Sequence, residues 1–209
     1  MQVKLREKVL RCAISMARHG LSRNTSGNVS ARDVESGLLA ITPTNVPYEE
    51  LQAMDIALLD QNGNMIDGRR EPSSEMPMHV AVYRARPDVD AIVHTHSVHA
   101  TTFAVLGRSL PPVTVPLALI GGVEVVPFEL PGSTELALAC VETLGEDGQA
   151  VLLRNHGLLC VAKTIEEALS RAIYIEEGAQ VALLAHLAGG MNPIPEHAVA
   201  QIRERYLKK

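Results

Sequence analysis

The chain has 209 residues, 46% apolar and 21% charged, a makeup that fits one globular domain spanning residues 1–209. Nineteen basic against 24 acidic side chains give a net charge of −5, and aromatics are 3% with no Trp. That argues against nucleic acid as a partner, because such proteins concentrate positive charge and stacking platforms.

The N-terminal segment lacks the uninterrupted apolar stretch of a signal peptide, and no run of 18 apolar residues marks a membrane span. Cys12, Cys140 and Cys160 form no CxxC motif and read as buried free thiols. A cytoplasmic protein with no membrane partner is expected.

The spacing of Val3, Val9, Leu10, Ala13, Ile14, Met16 and Ala17 predicts an amphipathic helix over 3–19, stopped by Gly20. A polar run, Ser22 to Asn28, leads directly into Val29-Ser30-Ala31-Arg32. Strands are expected at Leu38–Thr42 and Ile56–Asp60, the second closed by the turn pair Asn62-Gly63. Between them, Pro43 and Pro47 stiffen the loop Thr42–Pro47.

Ser73 and Ser74 read as the N-cap region of a helix to Arg86, with Pro77 in its first turn. Ala91–His96 reads as a buried strand, followed by a helix from Val98 to Leu106. Val113–Pro116 and Glu124–Phe128 are strand candidates, and a helix is expected over Ser133–Leu144. Strands Ala150–Arg154 and Leu158–Ala162 flank Asn155-His156-Gly157, and Thr164 caps a long helix. A last helix spans Pro195–Leu207. Helices interspersed with short, partly hairpin-linked strands predict an α/β fold with a mixed, largely antiparallel sheet flanked by helices.

His94-Thr95-His96 carries the sharpest chemical signal. Strand residues two apart share a face, so both imidazoles can grip one cation, although such pairs also serve as core or capping residues. His156, in a tight turn between apolar strands, supplies a third nitrogen. Three neutral imidazoles favour zinc over magnesium. Glu75 is the natural fourth ligand; taken alone, it equally suits a first-turn acid complementing the helix dipole. His79, one turn later, fits either the site or the core, whereas His99 reads as packing near the site. His19, His186 and His197 read as surface residues.

Three loops rich in small donors form a second constellation: Thr25-Ser26-Gly27-Asn28, Thr42-Pro43-Thr44-Asn45 and Ser73-Ser74. Each is an ordinary turn or cap by itself. Brought together, they can bind a phosphate without any lysine.

Taken in order, five stretches resemble the class II aldolase/adducin family, most closely its L-fuculose-1-phosphate aldolase type. They are Thr25–Arg32, Ile41–Tyr48, Pro72–Glu75, His94–His99 and Leu152–Leu158. The resemblance implies a central, largely antiparallel sheet and a homotetramer with sites between subunits. It implies that His94, His96 and His156 bind a divalent metal, normally Zn2+. Glu75 is then the acid/base, and a metal ligand before substrate binds. Thr25, Asn28, Thr44, Ser73 and Ser74 fall on the phosphate-binding positions, with the backbone of Gly27 and Asn45 beside them. The implied activity is that of a lyase, the reversible cleavage of a phosphorylated ketose to dihydroxyacetone phosphate and an aldehyde.

The chain departs from the fuculose type in two places. No Tyr occurs between Tyr83 and Tyr174, where that type carries one shortly before a Gly-Gly pair, and Tyr206 is the remaining candidate. Asn45 stands where Gly is usual, which suits a left-handed backbone because Asn tolerates that region. The missing tyrosine and the apolar Val115-Pro116-Leu117 turn attention to 5-deoxyribulose or 5-methylthioribulose 1-phosphate as cleavage substrates. A methylthioribulose-1-phosphate dehydratase uses the same ligand set, whereas sugar-phosphate epimerases typically have Asp in place of Glu75. A non-catalytic adducin-like module would lack the metal histidines.

Overall fold

The computed structural model describes residues 2–207. The N-terminal helix α1 (Gln2–Arg18) buries Leu5, Val9, Cys12, Ala13 and Met16, the stripe expected from their three- and four-residue spacing. Strand β1 (Asn28–Arg32) leads to β2 (Leu39–Ile41), a short 3₁₀ turn, β3 (Ala57–Leu59) and β4 (Met65–Asp67). Helix α2 (Met76–Ala85) precedes β5 (Ala91–Thr95), α3 (Val98–Leu106) and α4 (Val115–Ile120). Then follow β6 (Glu124–Val126), α5 (Thr134–Leu144), β7 (Ala150–Leu153), β8 (Gly157–Ala162), α6 (Ile165–Leu187) and α7 (Glu196–Leu207).

The eight strands form one sheet in the order β4-β3-β2-β1-β5-β8-β7-β6. Every neighbouring pair is antiparallel except β6 with β7, so the expected mixed, largely antiparallel sheet is present. Alternation along the strands divides the core in two. Val29, Ala31, Val93, Leu158 and Cys160 share one cluster with residues of α1, α3 and α6. Ile41, Leu59, Ile92, Leu159 and Val161 share the other with residues of α2 and α5. The result is helix, sheet, helix in three layers.

Arg32 fixes how α2 returns to the central strand. Its guanidinium bonds Asp90 at 2.9 Å and the carbonyls of Tyr83, Pro87 and Val89 at 2.6–3.0 Å. At the sheet's other connection, Thr164 Oγ1 accepts from the backbone N–H of Glu167 and starts α6 as expected. The three cysteines are free and buried; burial pushes the Cys12 and Cys140 thiols up to about 12. Among the described residues no helix is long and apolar enough to cross a membrane.

Two local expectations need correcting, and one strand was not anticipated. The Val113–Pro116 stretch is not a strand: Thr114 accepts from Leu117 N, Pro116 sits in the first turn, and the segment winds into α4. The β-branched valines suggested extension, but the cap and the first-turn proline suit a helix start better. Glu75, rather than Ser73 or Ser74, occupies the N-cap of α2, and its side chain makes no capping bond. Strand β4 was hidden because all three of its residues are exposed and show no apolar alternation.

Candidate metal centre and active site

The central pair β1 and β5 builds the site. Their register places Asn28 opposite His94 and Ser30 opposite Ile92. The alternation that turns Ile92 toward α2 also turns His94 that way, while His96 follows just beyond the strand end. On the other side of β5, Thr95 pairs with Leu158, bringing the β7–β8 turn and His156 alongside. Asn155 allows that turn to be tight by adopting φ +56. Gly157 then lets β8 press against the site, because a β-carbon there would collide with the Thr95 carbonyl oxygen.

The three imidazoles form a nearly threefold cluster. Their ring centroids lie 4.8–4.9 Å apart pairwise, with interplanar angles of 70–78°. Nε2 of His94 lies 3.0 Å from Nε2 of His96 and 3.1 Å from Glu75 Oε2. Nε2 of His156 lies 3.1 Å from Glu75 Oε1, yet that oxygen has no aligned hydrogen-bond donor although it is buried.

The four ligand atoms all fall within 4.8 Å of one another. Tetrahedral zinc with bonds of about 2.0–2.1 Å sets its ligands about 3.3 Å apart, so this set fits such an ion.

Protonation favours the same conclusion. His94 Nδ1 lies 2.9 Å from the Leu158 carbonyl and donates to it, which points Nε2 at the cluster. Burial, reinforced by His94 and His156, lowers His96 to about 4, so it is neutral near pH 7. Burial alone would raise the Glu75 carboxyl. Its interactions with His94 and His156 outweigh that and hold the group well below the usual carboxylate range. A carboxylate and three imidazole nitrogens converge on one point, a donor set made for a divalent cation.

The donor-rich loops come together on the same side. Ser73 N–H bonds the Thr42 carbonyl at 3.0 Å, Thr44 N–H bonds the Glu71 carbonyl at 3.1 Å, and Thr42 Oγ1 accepts from Val29 N–H at 3.1 Å. Tyr48 OH ties down the carbonyls of Ser26 and Gly27 at 3.0 and 2.6 Å. Thr25, Asn45 and Ser74 are exposed, Gly27 and Thr44 half-buried, and Asn28 and Ser73 buried. Asn45 has φ +54, the left-handed backbone anticipated for it. Gly27 is required, since a β-carbon would stand 2.6 Å from the His94 carbonyl and 2.5 Å from Ser22 Oγ.

Other sequence candidates lie apart from this centre. His99 pairs with Glu176 at 2.7 Å, and the same carboxylate accepts from the first N–H groups of α3. His19, His186 and His197 are exposed. Tyr206 is half-exposed near the end of α7, with the Arg205 guanidinium 5.9 Å from its ring centre.

His79, left between site and core by its spacing, reaches Asn28 Oδ1 at 2.5 Å, and Asn28 Nδ2 reaches Glu75 Oε2 at 2.9 Å. Ser30 and Tyr83, which sequence reasoning missed, complete that network. A signal did exist: Asn28 and Ser30 alternate with Val29 and Ala31 on a strand buried on both faces, so both polar side chains need buried partners.

Comparison with known proteins agrees with this geometry. The pattern of the Class II Aldolase and Adducin N-terminal domain matches residues 7–183. A 5-deoxy-D-ribulose 1-phosphate aldolase of Bacillus thuringiensis serovar kurstaki is 38% identical over 97% of this chain and 95% of its own. An L-ribulose-5-phosphate 4-epimerase of Salmonella paratyphi A is 33% identical over 93% and 91%. Among solved structures, an L-fuculose 1-phosphate aldolase superimposes with a TM-score of 0.92 at 32% identity, covering 98% of this chain and 96% of that one. The chain belongs to the class II aldolase and adducin N-terminal domain family.

Proposed function

We propose that the protein is a metal-dependent aldolase, reversibly cleaving a ketose 1-phosphate to dihydroxyacetone phosphate and an aldehyde. The observation that carries this reading is the convergence of His94, His96, His156 and the ionised Glu75 on one point, with a buried Glu75 oxygen left without a donor. A non-catalytic module has no use for such a set. A divalent cation, zinc by its nitrogen-rich ligands, supplies Lewis-acid stabilisation of the negative charge that develops at the substrate ketone.

The protein's own groups then divide the remaining work. Thr25, Asn28, Thr44, Ser73 and Ser74, with the backbone at Gly27 and Asn45, hold the phosphate and so aim the ketose at Glu75. Cleavage breaks the bond between the third and fourth carbons, and its electron pair stays on the dihydroxyacetone phosphate half as an enediolate. The hydroxyl proton on the fourth carbon passes to water, directly or through a neighbouring hydroxyl, as the aldehyde forms. Glu75 delivers a proton to the third carbon, and removes it in the synthetic direction.

Within this reading, substrates with a deoxy or otherwise apolar aldehyde end are favoured. The absence of any Tyr between Tyr83 and Tyr174 supports that choice, as does similarity to the 5-deoxy-D-ribulose 1-phosphate aldolase. Fuculose 1-phosphate is the nearest hydroxylated comparison. Epimerisation is the second reading, favoured by the 33% identical relative.

The chain works as one domain, because a single eight-stranded sheet runs through it. Exposed apolar side chains on α3 and α6, among them Val98, Val105, Leu106, Val181 and Leu184, suit burial in a homotetramer. In such an assembly Tyr206 of a neighbouring copy is the candidate for protonating the aldehyde oxygen. Free buried cysteines suit the reducing cytoplasm. Product analysis after incubation with 5-deoxyribulose 1-phosphate tests the proposal: dihydroxyacetone phosphate is expected, and an epimeric ketose or a dehydrated product would replace the aldolase reading.

A further inference from the structure

Behind Glu75 and Asn28 lies a chain of buried hydrogen bonds through His79, Ser30 and Tyr83, three residues the proposed chemistry does not use. Tyr83 OH lies 2.8 Å from Ser30 Oγ, and Ser30 Oγ lies 2.6 Å from His79 Nδ1. His79 Nε2 lies 2.5 Å from Asn28 Oδ1, and Asn28 Nδ2 lies 2.9 Å from Glu75 Oε2. All five side chains are buried.

Valence fixes the direction of every bond. Asn28 turns its amino group toward Glu75, donating from Nδ2 to Oε2. The Asn28 carbonyl oxygen then faces His79, whose Nε2 must carry a proton. With Nε2 protonated, and with burial holding His79 neutral by lowering it to about 3, its Nδ1 has only a lone pair. Ser30 therefore donates to Nδ1, and its oxygen is left to accept from Tyr83, whose phenol burial keeps protonated.

The chain does not conduct protons, because the Asn28 amide in its path does not exchange one for another. Its consequence is orientation. Glu75 selects the amino side of the amide, and the His79 donor on the far side keeps the amide from tilting out of line with the carboxylate.

We propose that His79, locked in its Nε2–H form by Ser30 and Tyr83, is a positioning residue that holds the Asn28 amide in register and thereby aims the Glu75 carboxylate. The idea rests on the aldolase reading for what Glu75 does, but not for the order of the bonds. Two substitutions separate positioning from packing. Gln at 79 places an amide nitrogen near the former Nε2 and can still donate to Asn28. Asn at 79 places its amide near the former Nδ1, keeps Ser30 and loses Asn28.

His79→Asn should lower kcat about 10- to 100-fold, the effect of one misplaced hydrogen bond to a charged group, with a smaller rise in KM because Asn28 also stands among the phosphate donors. His79→Gln should stay within about fivefold of wild type, the donor to Asn28 being kept. Equal kcat losses that simply follow the loss of thermal stability in both variants would overturn the proposal.

The second measurement needs no activity. Nitrogen-15 shifts of the His79 ring in metal-free wild-type protein should report Nε2–H with a bare Nδ1. An Nδ1–H ring would reverse the chain and overturn the proposal, whether or not the protein cleaves a ketose. Failure of wild type to release dihydroxyacetone phosphate, beside an Nε2–H ring, would instead count against the aldolase reading alone.

Discussion

Adding one methyl group at Gly157 should damage the metal centre without touching a ligand. A β-carbon there would overlap the Thr95 carbonyl oxygen and would stand 3.2 Å from His96 Cδ2 and 3.3 Å from His94 Cε1. Ordinary carbon contacts need about 3.5–4.0 Å, so both rings must give by a few tenths of an ångström. They cannot give freely. His94 is anchored through Nδ1 to the carbonyl of Leu158, the residue next to the substitution, so shifting the strand also shifts the anchor.

Overpacking of this kind typically destabilises by about 1–3 kcal/mol. For a chain of this size that lowers the melting temperature by about 2–4 °C per kcal/mol. Disturbing a ligand's anchor commonly weakens metal affinity about 10- to 100-fold. The assay is a thermal melt of metal-free Gly157→Ala together with zinc affinity measured against a competing chelator. Wild-type affinity in a protein that melts like wild type would refute the claim that the close approach of β8 shapes the site.

Glu75→Gln should fold and melt normally but lose proton exchange at the third carbon of dihydroxyacetone phosphate by about 10²–10⁴-fold, read by deuterium incorporation. Ser74→Ala, at an exposed hydroxyl, should raise KM for a ketose 1-phosphate by about 10- to 100-fold with kcat nearly unchanged, as for a lost bond to a charged group. His79 is also a source of pH-dependent stability. Its folded value of about 3 lies below the ordinary 6.5, so the unfolded chain binds the extra proton between those limits. Its contribution is full above pH 6.5 and is lost as pH falls toward 3. Denaturation of wild type and His79→Gln at several pH values should show a shallower acid slope in the variant.

Legibility in the sequence followed the range of each interaction. Helix α1 and strand β5 were readable because their apolar spacing is local, and α3 because Gly107 ends it. His94 and His96 announced themselves by a two-residue period, and His156 by a turn. The meeting of Glu75 with His94 was not local: it depends on α2 crossing the sheet, and no spacing between residues 75 and 94 encodes that crossing. The helix-start position of Glu75 suggested it as the fourth ligand, equally well a dipole-complementing acid, and family resemblance decided between the two. Val113–Pro116 failed because valine-rich extension and a capped helix start look alike over four residues, and the packing beyond decides between them. His79 stayed ambiguous because a helix position gives a face but not what lies opposite. The β1–β5 register put Asn28 and Ser30 on the face that turns toward it.

The most direct test combines metal content with product release on one preparation of purified protein. Near one zinc per chain, and dihydroxyacetone phosphate released from 5-deoxyribulose 1-phosphate or fuculose 1-phosphate, is the predicted result. His94→Ala should abolish both together. A wild-type protein that binds no divalent metal, or a His94→Ala variant that still cleaves, would contradict the central claim that Glu75 and three histidines form a catalytic metal site.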